Sequence, residues 1–160
     1  MEKARKDYLK GDEYFLAIAK IAEKRSKDPS TQVGAVIVNS DRQIIATGYN
    51  GFPRGLDDDA YLGDRENENG ELTKYPYVVH AESNAILNST RELKGASIYV
   101  SLFPCNECAK LIVQSGIVKV IYADDKYDGT PINNVSKKIL KNSGVELVQI
   151  PDVDVKVTRK

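Results

Sequence analysis

Tryptophan is absent from this chain of 160 residues, and methionine and histidine occur once each. Only two cysteines are present, separated by two intervening residues, so a long-range disulfide framework cannot be built and they read as intracellular thiols. No apolar run approaches the roughly 20 residues of a membrane span. The opening residues are charged and polar, unlike a signal peptide, so a soluble cytoplasmic protein with no membrane partner is expected. An excess of either charge is lacking too: 23 Lys and Arg balance 23 Asp and Glu, which leaves no global basic field for nucleic acid. No nucleic-acid partner is therefore expected. A chain of this length can bury about 70% of its extended surface in one core. With no repeat, linker or low-complexity stretch in view, one domain is expected over residues 1–150, with 151–160 as a tail.

The pattern that is present alternates helices and strands. From Asp12, apolar residues at 14, 15, 18, 21 and 22 predict a helix with Asp12 as N-cap, ending before Asp28-Pro29. Val33–Asn39 and Gln43–Tyr49, rich in β-branched residues and joined by Asn39-Ser40-Asp41-Arg42, predict an antiparallel hairpin. Asn50-Gly51-Phe52-Pro53-Arg54-Gly55 must be irregular, and residues 56–76 read as a surface excursion longer than an ordinary connection. A helix from His80 to about Arg91 is followed by strand Ser97–Ser101, helix Cys105–Ser115 and strand Val118–Ala123. Helix Ile132–Asn142 and strand Val145–Ile150 complete the series. Strands alternating with helices imply an α/β layer with parallel pairing, to which the hairpin adds a mixed edge.

The single histidine and both cysteines fall between His80 and Cys108, as His80-Ala81-Glu82 and Pro104-Cys105-Asn106-Glu107-Cys108. A Cys-x-x-Cys that follows a strand and opens a helix fits either a redox dithiol or half of a zinc site, because a helix N-terminus favours thiolates in both. The histidine motif tips the balance to metal. Residues two apart on a regular helix point about 200° away from each other, so His80 and Glu82 share a site only where the chain is entering the helix. Three ligands, His80, Cys105 and Cys108, leave one position of a four-coordinate zinc open, which is the mark of a catalytic ion. Such an ion acidifies water, and Glu82 is the natural proton acceptor.

His-x-Glu followed by Pro-Cys-x-x-Cys is the signature of zinc-dependent nucleobase deaminases. Further segments narrow the resemblance: Arg25-Ser26-Lys27-Asp28-Pro29, Gln32-Val33-Gly34-Ala35, Gly48-Tyr49-Asn50-Gly51, Lys74-Tyr75-Pro76-Tyr77-Val78, Phe103–Lys110 and Asp125-Lys126-Tyr127. From about Asp12 to Ile150 the chain resembles the deoxycytidylate deaminases of the zinc-dependent cytidine deaminase superfamily. That resemblance implies a cytidine-deaminase-like fold, a five-stranded mixed sheet with helices on both faces. It also implies a hydrolase of pyrimidine deoxynucleotide metabolism, on the route to dTTP, converting dCMP to dUMP and ammonia by a zinc-bound hydroxide with Glu82 as proton shuttle. The family pattern further implies a homohexamer activated by dCTP and inhibited by dTTP, with Mg2+ accompanying a triphosphate effector.

Carried over residue by residue, the resemblance gives Asn50, Ala81, Arg25, Lys126 and Tyr127 as substrate contacts. The loop Asn50, Gly51, Phe52, Pro53, Arg54 and Gly55 resembles the effector-binding segment, where glycine lets backbone N–H groups approach a phosphate. Some family members hold a second, structural zinc with extra His and Cys. This chain has none to spare, so one zinc per subunit is expected. Three other readings stay open: a deaminase that also accepts dCTP, a nucleic-acid cytosine or adenosine deaminase, and a dithiol oxidoreductase using Cys105 and Cys108.

Overall fold

The computed structural model describes residues 1–61, 68–72 and 74–160; the stretch 62–67 and position 73 of the surface excursion lie outside the described residues. Helix α1 (Gly11–Glu23) leads into the hairpin β1 (Gly34–Val38) and β2 (Ile44–Tyr49). A 3₁₀ turn (Asp58–Tyr61) and the short helix α2 (Lys74–Tyr77) precede α3 (Ala81–Asn88). Then come β3 (Ser97–Leu102), α4 (Asn106–Gln114), β4 (Lys119–Asp124), α5 (Pro131–Asn142) and β5 (Glu146–Gln149). The strands form one sheet in the order β2-β1-β3-β4-β5. β1 runs antiparallel to both β2 and β3, whereas β3, β4 and β5 are parallel. The expected five-stranded mixed sheet is the one found.

Alternation along the strands divides the core. Ala35, Ile37, Ile98, Val100, Val120 and Tyr122 point to the face covered by α3, α4 and α5, while Val36, Val38, Tyr99 and Ile121 point to α1. Every residue of β1 is buried, as a strand flanked by two others and covered on both faces must be. Apolar burial of this kind is the main favourable term in folding.

Several element ends differ from the sequence expectation. Lys10, not Asp12, is the N-cap of α1, and it makes no side-chain capping bond. Asp12 lies in the first turn and accepts the Tyr99 hydroxyl at 2.6 Å; burial, aided by this bond, pushes the Tyr99 phenol up to about 12. The buried face of α1 is Phe15, Leu16 and Ala19, whereas Tyr14 and Ile21 of the expected stripe are exposed. α3 stops at Asn88 rather than Arg91, because Ser89 is extended and its hydroxyl accepts the Arg91 N–H. Ser/Thr hydroxyls compete with the helix in this way.

The excursion is tied down where it is described. Lys74 pairs with Asp28 at 2.7 Å with both side chains buried, and Lys27 pairs with Asp58. The tail 151–160 has no regular structure, yet Asp152 meets Lys20 on α1 at 3.3 Å.

Two glycines set how closely helices seat on the sheet. A Cβ on Gly34 would run into the Ala19 carbonyl of α1, and one on Gly48 into Ala81 O and the Ala85 backbone of α3. All of these obstacles are backbone, so they cannot swing aside. G48A should cost about 1–3 kcal/mol by overpacking, read as a lower denaturation midpoint with unchanged m-value. A midpoint within error of wild type would mean that α3 is not held at this contact.

Candidate active site

One end of the sheet gathers the start of β1, the ends of β2, β3 and β4, and the loops beyond them: Gly34 opposes Tyr49, and Leu102 opposes Asp124. Carboxyl ends of strands are where open α/β sheets bind ligands. Past β2, Gly51 and Val79 exchange backbone hydrogen bonds of 3.0 and 2.8 Å, which fixes the direction in which the chain enters α3. His80 is the N-cap of α3, extended at φ −73° and ψ 157°, with Glu82 in the first turn. That entry is the geometry that lets two residues of i, i+2 spacing share a site. Past β3, Cys105 is the N-cap of α4, also extended at φ −72° and ψ 172°, and Cys108 lies one turn on. Ser136 on α5 donates to the Pro104 carbonyl at 2.7 Å, holding the approach to Cys105.

His80 Nδ1 lies 3.3 Å from Cys105 Sγ and 3.4 Å from Cys108 Sγ. The three ligand atoms are all within 4.8 Å of one another. Zinc bonds of about 2.0–2.3 Å in a tetrahedron give ligand-to-ligand edges of roughly 3.5 Å. These spacings and the N/S/S donor set therefore fit zinc. Both thiols sit at helix N-termini or within the first turn, where the dipole stabilises thiolate. Shared hydrogen bonding polarises the pair: the bond from Cys108, followed by that from His80, holds Cys105 down at about 4. Its partner Cys108 is pushed upward, first by the same bond and then by burial.

Glu82 is 4% exposed. Burial is the largest influence on its carboxyl and pushes it above the ordinary carboxylate range, although nearby His80 and a bond with Cys108 act the other way. A carboxyl so placed can carry a proton nearer neutrality than a surface glutamate can.

His80, Ala81, Glu82 and Cys105 line a cavity of about 430 Å³. Asn50 and Tyr127 also lie in its wall. Asn50 is buried, and its side chain ties the 31–33 turn together, accepting from Val33 N at 2.9 Å and donating to Thr31 O at 2.8 Å. Arg25 and Lys126 do not line the cavity. The Arg25 guanidinium lies over the Tyr49 ring at 5.6 Å, and the Lys126 ammonium over the Tyr127 ring at 5.1 Å. Gly51 and Phe52 border a separate cleft of only about 20 Å³, with Gly55 at φ 91° and Pro53 and Arg54 exposed beside it.

The sequence reading missed several wall residues: Asp28, Thr31, Lys74, Phe103, Thr130 and Asn133. Thr130 was legible, since Thr-Pro at a helix start is an N-cap followed by N1 proline. Its side chain accepts from Asn133 N. Asn133 Nδ2 and Lys137 Nζ grip the two carboxylate oxygens of Asp125 at 2.9 and 2.7 Å, and Lys137 also holds Asp128 at 2.6 Å. This clamp presents Tyr127. No local pattern announces it.

The model of the cytidine and deoxycytidylate deaminase zinc-binding region matches residues 9–124. The chain belongs to this family. The deoxycytidylate deaminase of Mus musculus is 52% identical over 144 residues, covering 89% of this chain and 81% of that protein. The probable deoxycytidylate deaminase of Drosophila melanogaster is 51% identical over 148 residues, covering 89% and 73%. Among solved structures, the dCMP deaminase of cyanophage S-TIM5 in complex with dCMP and dUMP has a TM-score of 0.69 at 28% identity, covering 86% of this chain and 95% of that one. The family resemblance and the fold expected of a deaminase are thus borne out. Among the described residues no helix is long and apolar enough to cross a membrane.

Asp28 offers a test of the wall. Burial raises its carboxyl, but the bond from Lys74 and those from the Ser30 and Thr31 N–H groups outweigh it and leave the pKa below the ordinary value. A depressed folded pKa stabilises above the unfolded pKa and loses that stabilisation as pH falls through the folded value. Wild type should be more stable than D28N at neutral pH, with the gap closing across the acid range as Asp28 protonates. A gap that stays constant with pH would show that the charge of Asp28 is not what holds the wall.

Proposed function

We propose that this member of the deaminase family hydrolyses the 4-amino group of dCMP, giving dUMP and ammonia. The observation that carries the reading is the buried Glu82 at the floor of a nucleotide-sized cavity, beside the converging His80, Cys105 and Cys108. Substrate choice is supported by the relatives of about half-identical sequence named as deoxycytidylate deaminases. His80, Cys105 and Cys108 hold one zinc per subunit. When bound, the ion supplies Lewis-acid activation of a water molecule.

The chain's own residues do the rest. Glu82 Oε takes the proton of the attacking water and gives it to N3 of the cytosine, which makes C4 electrophilic. As the C4–O bond forms and the C4–N4 bond breaks, the same carboxyl carries a second proton to N4, and ammonia leaves. A raised pKa suits a group that must be base and then acid within one turnover. Val33, Leu102 and Phe103 make apolar walls that exclude bulk water. Asn50, Ala81 and Tyr127 contact the nucleotide from the wall, with Arg25 and Lys126 stacked just outside it.

The same family reading assigns the Asn50–Gly55 loop to the binding of dCTP as activator and dTTP as inhibitor, with Mg2+ beside the triphosphate. It gives a homohexamer working in the cytoplasm, with one deaminase domain over 1–150 and a tail over 151–160. On one chain the cleft beside Gly51 and Phe52 is far smaller than a nucleotide, so an effector site there needs the loop to rearrange or a second subunit to complete it.

Ammonia release from deoxycytidine, dCMP, dCTP and a cytosine-containing oligonucleotide, each with and without dCTP or dTTP as effector, tests the assignment. Turnover should be highest on dCMP, raised by dCTP and lowered by dTTP. Turnover confined to the oligonucleotide would overturn the substrate, and indifference to both triphosphates would remove the effector role of the loop.

A further inference from the structure

Ser83 stands one helical turn beyond His80 on α3, so both side chains lie on the side of that helix that meets Cys108 of α4. The Ser83 hydroxyl is 3.6 Å from Cys108 Sγ, one of the two sulfurs that converge on His80. Cys108 is 1% exposed, whereas Cys105 is only partly buried, so loss of hydration bears harder on the Cys108 sulfur. In a thiol either partner could donate. A zinc-bound sulfur carries no proton, and there the bond can run only from the Ser83 O–H to the sulfur. The carbonyls that a helical serine would otherwise bond already have donors: Val79 O accepts the Gly51 N–H and His80 O accepts the Asn84 N–H, each at 3.0 Å.

We propose that Ser83 is a positioning residue of the metal centre: its hydroxyl donates to the Cys108 thiolate and strengthens the hold of His80, Cys105 and Cys108 on zinc. The inference rests on the metal-site reading above and adds to it a partner outside the ligand set. A hydrogen bond to an ionised acceptor is roughly twice as strong as a neutral one. Here it stabilises the form of the sulfur that ligates and fixes the direction in which that sulfur faces His80. It also ties α3 to α4 at the point where their ligands meet. Alanine would be the better helix former at position 83, so the hydroxyl is what serine contributes there. Partners of this kind, one bond away from the ion, are commonly worth about 10–100-fold in metal affinity.

Zinc affinity is measured by competition with a chelator on the full chain, for wild type, S83A, S83T and S83V. Threonine and valine have nearly the same shape and differ in the hydroxyl, so that pair separates the bond from packing. S83A and S83V should bind zinc about 10–100-fold more weakly, and S83T should recover most of the loss. Because alanine favours the helix, a fall in S83A cannot come from a weakened α3. Cobalt(II) in place of zinc gives a second readout that does not depend on turnover. Without the donor the sulfur holds its electrons less tightly, so the thiolate-to-cobalt charge-transfer band should move to lower energy in S83A and S83V and stay in place in S83T. Equal affinities in all four proteins, equal losses in S83T and S83V, or a band that does not move would overturn the role of Ser83 and leave the metal centre standing. A wild type that takes up neither zinc nor cobalt would overturn the metal-site reading, and Ser83 with it.

Discussion

Two chain entries into helices, meeting at one point, are the constraint on which the rest of this structure depends. His80 and Cys105 are both N-caps in extended conformation, and each is the last residue before its helix becomes regular. An N-cap side chain projects beyond the helix end, so two caps brought side by side can converge where two mid-helix residues could not. The parallel pairing of β3 with β4, the Gly51–Val79 bridge and the seating of α3 at Gly48 all act on that convergence. The Ser136 hydroxyl on Pro104 O extends the same control to α5. Moving either helix by an ångström would spoil spacings of 3.3 and 3.4 Å.

Charge in the site is distributed by burial. Burial is the largest influence on Glu82 and raises its carboxyl, whereas the half-buried Asp28 is held by Lys74 and two amides, so its carboxyl is lowered. One group is thereby suited to exchange protons and the other to remain an anion. Two carboxyls in one cavity wall with opposite displacements mark a division between chemistry and positioning. The Asp125 clamp by Asn133 and Lys137 plays a positioning role beside Tyr127.

The centre of the site was legible because its signal is local. A histidine, a carboxylate two residues on and a Pro-Cys-x-x-Cys need only the correct helix entries to meet, and glycine, proline and β-branched runs located those entries to within a residue or two. The sheet was legible for the same reason. What stayed hidden depends on long-range contact. Lys74 and Asp28 stand in segments of family resemblance, yet nothing local pairs them, and they become wall residues only when α2 folds against the 28–31 turn. Asp12 reads as a cap until Tyr99, far along the chain, takes its carboxylate. Arg25 and Lys126 stand in the expected segments, but their charged ends lie over the Tyr49 and Tyr127 rings and neither residue lines the cavity.

Glu82 stands at the junction of these features, close enough to the ligand atoms to share their chemistry and buried enough to carry a proton. The most direct measurement is zinc content and dCMP turnover on one preparation of E82Q, since glutamine keeps the shape and removes the proton exchange. Zinc should remain at one per chain while kcat falls by about 100- to 10,000-fold, the usual contribution of a general acid–base. Undiminished turnover with zinc in place would contradict the assignment of Glu82, and a zinc-free wild type whose two thiols cycle with a disulfide would contradict the metal centre itself.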